Sequence, residues 1–154
     1  MYTANVLISI QDFVPMNGIL GQSSTIVATI APPRDTSAYP PQPPAKPVFS
    51  GDGESIVVTV PSGYLGAVQL TYQLPDPKYV LLGLAFEGPN GGVGRLEFRS
   101  VAINRDVYGS QLTVTDACMN VCVGIEYTYV ILVQDVAGGK IGLIDPGIEN
   151  ENGD

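Results

Sequence analysis

The chain has no histidine and no tryptophan, only two cysteines, and seven basic residues against fifteen acidic ones. Each shortage removes a class of function. Without histidine there is no Ser-His-Asp triad, no Cys-His dyad and no imidazole acid or base, so any chemistry must use carboxylates, lysines, hydroxyls or the backbone. The two thiols, Cys118 and Cys122, are separated by Met-Asn-Val and fall short of the four ligands of a structural zinc site unless carboxylates or another subunit complete it. They read as small residues at a strand end or turn, with a disulfide as the alternative, and no cofactor is expected. The net charge of −8 repels phosphate backbones and anionic lipid surfaces, so neither nucleic acid nor a membrane is an expected partner. No apolar run approaches membrane-spanning length, and no basic residue precedes Arg34 to form the n-region of a secretory signal. A cytoplasmic location is the expectation.

What the chain does have is apolar residues and turn formers. At 154 residues with a 45% hydrophobic share, it is long enough to bury one core without disulfides or metals, and we expect a single domain over 1–154. Eighteen glycines and thirteen prolines suit short strands joined by tight turns. Apolar, β-branched runs recur at Asn5 to Ile10, Thr25 to Ala31, Glu54 to Val60, Ala67 to Leu74, Tyr79 to Glu87, Arg95 to Ile103, Leu112 to Thr115, Ile125 to Val133 and Ile141 to Ile144. Turn residues separate them and no helical period intervenes. The expected fold is an all-β antiparallel sandwich, immunoglobulin-like or similar, of about eight strands. Seven prolines crowd residues 32–47 and predict a solvated loop or arm, and the acidic stretch 149–154 is expected to fray.

Alternation assigns faces. In Ala67 to Leu74, Val68, Leu70, Tyr72 and Leu74 share one side and Gln69, Thr71 and Gln73 the other, the pattern of a strand with one buried face. In Glu126 to Gln134 both faces are largely apolar, which predicts a central strand with Glu126 near one end.

Two Asp-Pro dipeptides, Asp76-Pro77 and Asp145-Pro146, carry the distinctive chemistry. An aspartate preceding proline can attack its own peptide carbonyl through a five-membered cyclic anhydride. The proline nitrogen belongs to a tertiary amide and departs readily once protonated, so one nearby acid with a raised pKa completes the kit. Asp76-Pro77, inside Leu-Pro-Asp-Pro-Lys, is explained by a turn. Asp145-Pro146 closes a strand, which proline commonly stops, and the sequence around it says more.

Tyr127-Thr-Tyr-Val-Ile-Leu-Val-Gln-Asp135, then Gly138-Gly139, then Asp145-Pro-Gly-Ile-Glu-Asn150 resembles the C-terminal signature of the DP-EP family: a Tyr-x-Tyr strand, a tight turn and a closing Asp-Pro-x-Ile-x-Asn. Leu70 to Leu74 and Leu112 to Asp116 also suit that pattern, so the likeness covers about the last two-thirds of the chain. The proline-rich segment departs from it. The resemblance implies a β-sandwich associated with autoproteolysis at the Asp-Pro bond, with the C-terminal piece staying in place as a strand. Asp145 would then be the residue whose peptide bond breaks and Pro146 the new N-terminus. The second carboxylate does not carry over by motif. From this sequence the candidates are Glu126, Asp135 and Asp116, and Glu126 on its apolar strand is the best situated for a raised pKa unless it is a solvated strand-end residue. A lysine could trap the acyl intermediate as an isopeptide; of Lys46, Lys78 and Lys140, only Lys140 is close in sequence. The competing expectation is a non-enzymatic module that self-associates through exposed sheet edges.

Overall fold

A computed structural model describes residues 1–15, 23–36, 48–52, 55–61, 64, 66–87, 98–106, 109–118, 125–144 and 147–153. These residues are all-β, with no helix among them. They form twelve strands: β1 (Tyr2–Pro15), β2 (Ser23–Ile30), β3 (Arg34–Asp35), β4 (Val48–Gly51), β5 (Ser55–Pro61), β6 (Val68–Leu74), β7 (Tyr79–Glu87), β8 (Phe98–Asp106), β9 (Gly109–Asp116), β10 (Ile125–Asp135), β11 (Ile141–Ile144) and β12 (Gly147–Gly153). Each of the nine expected strands is present. The three additions are β3 and β4, short pieces beside the proline-rich segment, and β12, where fraying was expected from Glu149. Residues 37–47, the rest of the expected arm, lie outside the described residues.

One sheet runs β1-β6-β9-β8, with β3 paired to β1. The other contains β1-β2-β11-β10 and continues through β12 to β5 and β4, with β7 on the opposite edge of β10. The ladders are not all antiparallel: β1 with β6, β2 with β11, and β5 with β12 run parallel. All three join strands far apart in sequence, where no hairpin imposes reversal.

β1 belongs to both sheets. Its first half pairs with β6 from Tyr2 to Leu7, and its second half pairs with β2 from Ile8 to Pro15. A register shift between Ile10 and Asp12 inserts Gln11 as an extra residue. Because side chains alternate with period two, one inserted residue exchanges the faces. Ala4, Val6 and Ile8 are accordingly buried before the bulge, and odd-numbered Phe13 is buried after it.

A single buried cluster draws on both sheets, including Val6, Leu70, Tyr72, Leu112, Ile131 and Val133. On β6, Val68, Leu70, Tyr72 and Leu74 are all fully buried, as their alternation predicts. The sheets also meet through a hydrogen bond, Leu81 N–H donating to Ser110 Oγ at 2.8 Å. It satisfies a backbone donor of β7 beside its own bulge at Leu82. Among the described residues no helix is long and apolar enough to cross a membrane.

Candidate functional site

β10 organises the region that the sequence singles out. β7 lies along one edge, from Thr128↔Glu87 to Asp135↔Tyr79. On the other edge β11 pairs Ile131↔Ile144 through Gln134↔Ile141, and β12 pairs Ile125↔Asn150 through Thr128↔Gly147. From Ile144 to Gly147 is the same number of residues as from Ile131 back to Thr128, so β11 and β12 keep one register on β10. Asp145 and Pro146, the intervening residues, lie outside the described residues.

The outer edges differ. β11 is flanked by the start of β2, Ile141↔Ser23 to Leu143↔Thr25, and β12 by the whole of β5, Gly147↔Ser55 to Gly153↔Pro61. The sheet therefore changes neighbours between Ile144 and Gly147. β12 is paired with β5 along its whole length and with β10 from Gly147 to Asn150, and a backbone break before Gly147 would leave those ladders standing.

The candidate acids are dispersed. Glu126 is on β10, two residues from the Thr128↔Gly147 pair, or about 7 Å along the strand, and its register partner is Glu149. Asp135 is at the other end of β10, four residues and about 13 Å beyond Ile131. There it serves the β10–β11 turn: Oδ1 accepts the Ala137 N–H at 3.0 Å, its N–H donates to the Lys140 carbonyl and its carbonyl accepts from Gly139, each at 2.8 Å. Gly139, at φ +65°, supplies the left-handed residue of that turn. Asp116 is fully buried, but in the other sheet, where β9 pairs with β6 and β8 rather than with β10, β11 or β12. Glu126 is thus on the strand that pairs with both β11 and β12, while Asp135 is at the other end of that strand and Asp116 is in the other sheet.

Of the lysines, Lys46 lies outside the described residues, and Lys78 and Lys140 are beside the β10–β11 turn. Lys140 precedes β11, about 13 Å from Ile144 at its far end, and the Lys78 carbonyl accepts the Val136 N–H at 2.9 Å beside the same turn. Both line an open cleft of about 530 Å3 with Asp12, Phe13, Tyr79 and Asp135. Phe13 and Tyr79 stack there at 5.3 Å and 12°. Asp76-Pro77 is a turn: Asp76 Oδ1 accepts the Lys78 N–H at 3.0 Å and its carbonyl accepts the Tyr79 N–H at 3.1 Å.

Asp116 belongs instead to a buried polar corner. Its Oδ1 accepts the Cys118 N–H at 2.9 Å, holding Cys118 at φ +50°, a left-handed conformation that costs a non-glycine residue of the order of 1 kcal/mol or more. Nearby, the Tyr64 hydroxyl donates to the Ala67 carbonyl at 3.0 Å, and its ring meets Tyr2 edge to face at 5.8 Å. Burial, then the Cys118 thiol and Tyr2, push the Tyr64 phenol above its ordinary 10.0. Cys122 lies outside the described residues.

Sequence reasoning missed one relation. Ser55 is the register partner of Gly147, so the start of β5 lies beside the start of β12. No strand pattern could show this, because a parallel pairing between the middle and the end of the chain leaves no local signal. Among the described residues no group of three or more Cys, Asp or Glu could hold a metal ion. Comparison with protein-family models, with curated proteins and with solved structures finds no significant match.

Proposed function

We propose that this chain is an immunoglobulin-like β-sandwich protein of the DP-EP kind that cuts its own backbone between Asp145 and Pro146. The carrying observation is the common register of β11 and β12 on β10, with β12 laddered on both edges. Strands fixed on both sides of a scissile bond restrain its ends, and restraint of that kind favours an intramolecular reaction.

In the proposed reaction the Asp145 carboxylate attacks its own peptide carbonyl. The bond to the Pro146 nitrogen breaks as that nitrogen takes a proton from a neighbouring carboxylic acid, and a cyclic anhydride forms. Water then opens the anhydride, leaving two carboxylates on Asp145 and a free imino group on Pro146. Glu126 is the acid we favour. Residues directly opposite in an antiparallel pair hold their Cβ atoms about 4.5–5.5 Å apart. Glu126 and Glu149 are opposite in this sense, and the leaving nitrogen needs the proton of a carboxylic acid. Because the step needs that proton, cleavage slows as pH rises.

Intact-mass spectrometry over several days at mildly acid and neutral pH tests this. Two fragments, 1–145 and 146–154, are expected from the native chain and none from Asp145→Asn; a single intact mass throughout contradicts the proposal.

A second reading has its own observation. β8 ends the strand order, and Val101 and Ile103, register partners of buried Val114 and Leu112, are 44% and 46% exposed. An apolar edge strand of this kind suits self-association. Light scattering after gel filtration separates the readings, since a stable oligomer without fragments favours the module.

A further inference from the structure

β12 is unlike its neighbours in what it offers the fold. Its sequence, Gly-Ile-Glu-Asn-Glu-Asn-Gly, contains one apolar residue, Ile148, and is rich in residues disfavoured in strands. Yet it occupies an interior position, parallel to β5 from Gly147↔Ser55 to Gly153↔Pro61 and antiparallel to β10 from Thr128 to Ile125. Its ladders run to strands that have their own anchorage. β5 buries Ile56, Val58 and Val60, and β10 buries Ile131 and Val133. A strand so poor in apolar residues, laddered between two strands held by burial, marks a slot that recognises extended backbone more than side chains.

We propose that the slot between β5 and β10 is a strand-acceptor site that takes residues 147–153 of a second copy of this chain in place of its own. While the chain is continuous, the tethered strand wins by its high effective concentration. Once the chain breaks before Gly147, that advantage is gone and the C-terminal strand becomes exchangeable, so the inference rests on the self-cleavage reading for its natural occasion. Exchange links each molecule to another's tail while every ladder is remade, with no net change in hydrogen bonding.

The test makes the break independently of self-cleavage. A full-length chain carrying the recognition sequence of an added protease between Asp145 and Pro146 is mixed with a labelled synthetic peptide of residues 146–154. Before proteolysis the protein should take up no label. After it, the fragment should stay bound through gel filtration, and excess peptide should replace it until about one label is carried per protein. A peptide with Asn150→Pro, lacking a ladder donor in mid-strand, should not enter. Loss of the fragment on nicking, or no uptake over days in excess peptide, overturns the proposal. Should the inserted sequence block folding, the unmodified chain refolded from urea in a large excess of the same peptide gives the answer: label in the refolded protein supports the slot, and its absence overturns it. If the slot accepts peptide while the native chain never fragments, only the self-cleavage reading fails.

Discussion

β6 and β12 are both seven-residue strands in interior positions, and their sequences are opposite in kind. β6 alternates buried and half-buried residues without exception, putting Val68, Leu70, Tyr72 and Leu74 wholly into the core between β1 and β9. β12 has one apolar residue and two ladders. The first strand is held by side chains and tolerates no loss of volume. The second has little apolar side chain to bury, so its two ladders are what a substitution there should test.

That contrast can be broken by mutation. Leu70→Ala should destabilise the protein by about 2–5 kcal/mol in urea unfolding, the cost of lost burial plus a cavity. Gly109→Ala should cost about 1–3 kcal/mol, because Gly109 sits at φ +126° and an added Cβ would collide with the Leu74 carbonyl oxygen. On β12 the order of severity should depend on the backbone. Asn150→Pro, which removes a ladder donor, should cost about 1–3 kcal/mol, and Asn150→Ala, which keeps it, under about 0.5 kcal/mol. Equal losses for the two Asn150 variants would mean that side-chain packing holds β12 after all. The smallest effect is expected at Tyr64. Its phenol is raised above 10.0, so the folded state retains a proton that the unfolded state gives up. Stability should therefore decline as pH rises through 10 and beyond, and Tyr64→Phe should flatten that decline in thermal melts.

The same contrast explains what could be read without coordinates. The core face of β6 follows from period-two alternation, and the interior position of β10 from apolar residues on both its faces. β12 was hidden, because an Asn- and Glu-rich end reads as a fraying tail. Only its parallel pairing with β5, remote in sequence, makes it a strand. The division of β1 between two sheets depends on one bulged residue, Gln11, which composition does not mark. Of the candidate acids, Glu126 could be placed near the end of β10 by pattern. The separation of Asp116 into the other sheet could not be, since it depends on which strands pair with β9.

Within the proposed reaction, Glu126→Gln should slow fragment formation by about 10²- to 10⁴-fold, the usual contribution of a general acid. An unchanged rate would move the acid's role elsewhere. The central claim is the scission itself, and the intact mass of the purified native chain, followed beside Asp145→Asn at mildly acid pH, measures it most directly. The account predicts masses for 1–145 and 146–154 growing with time in the native sample alone. A native chain that keeps its full mass throughout contradicts it.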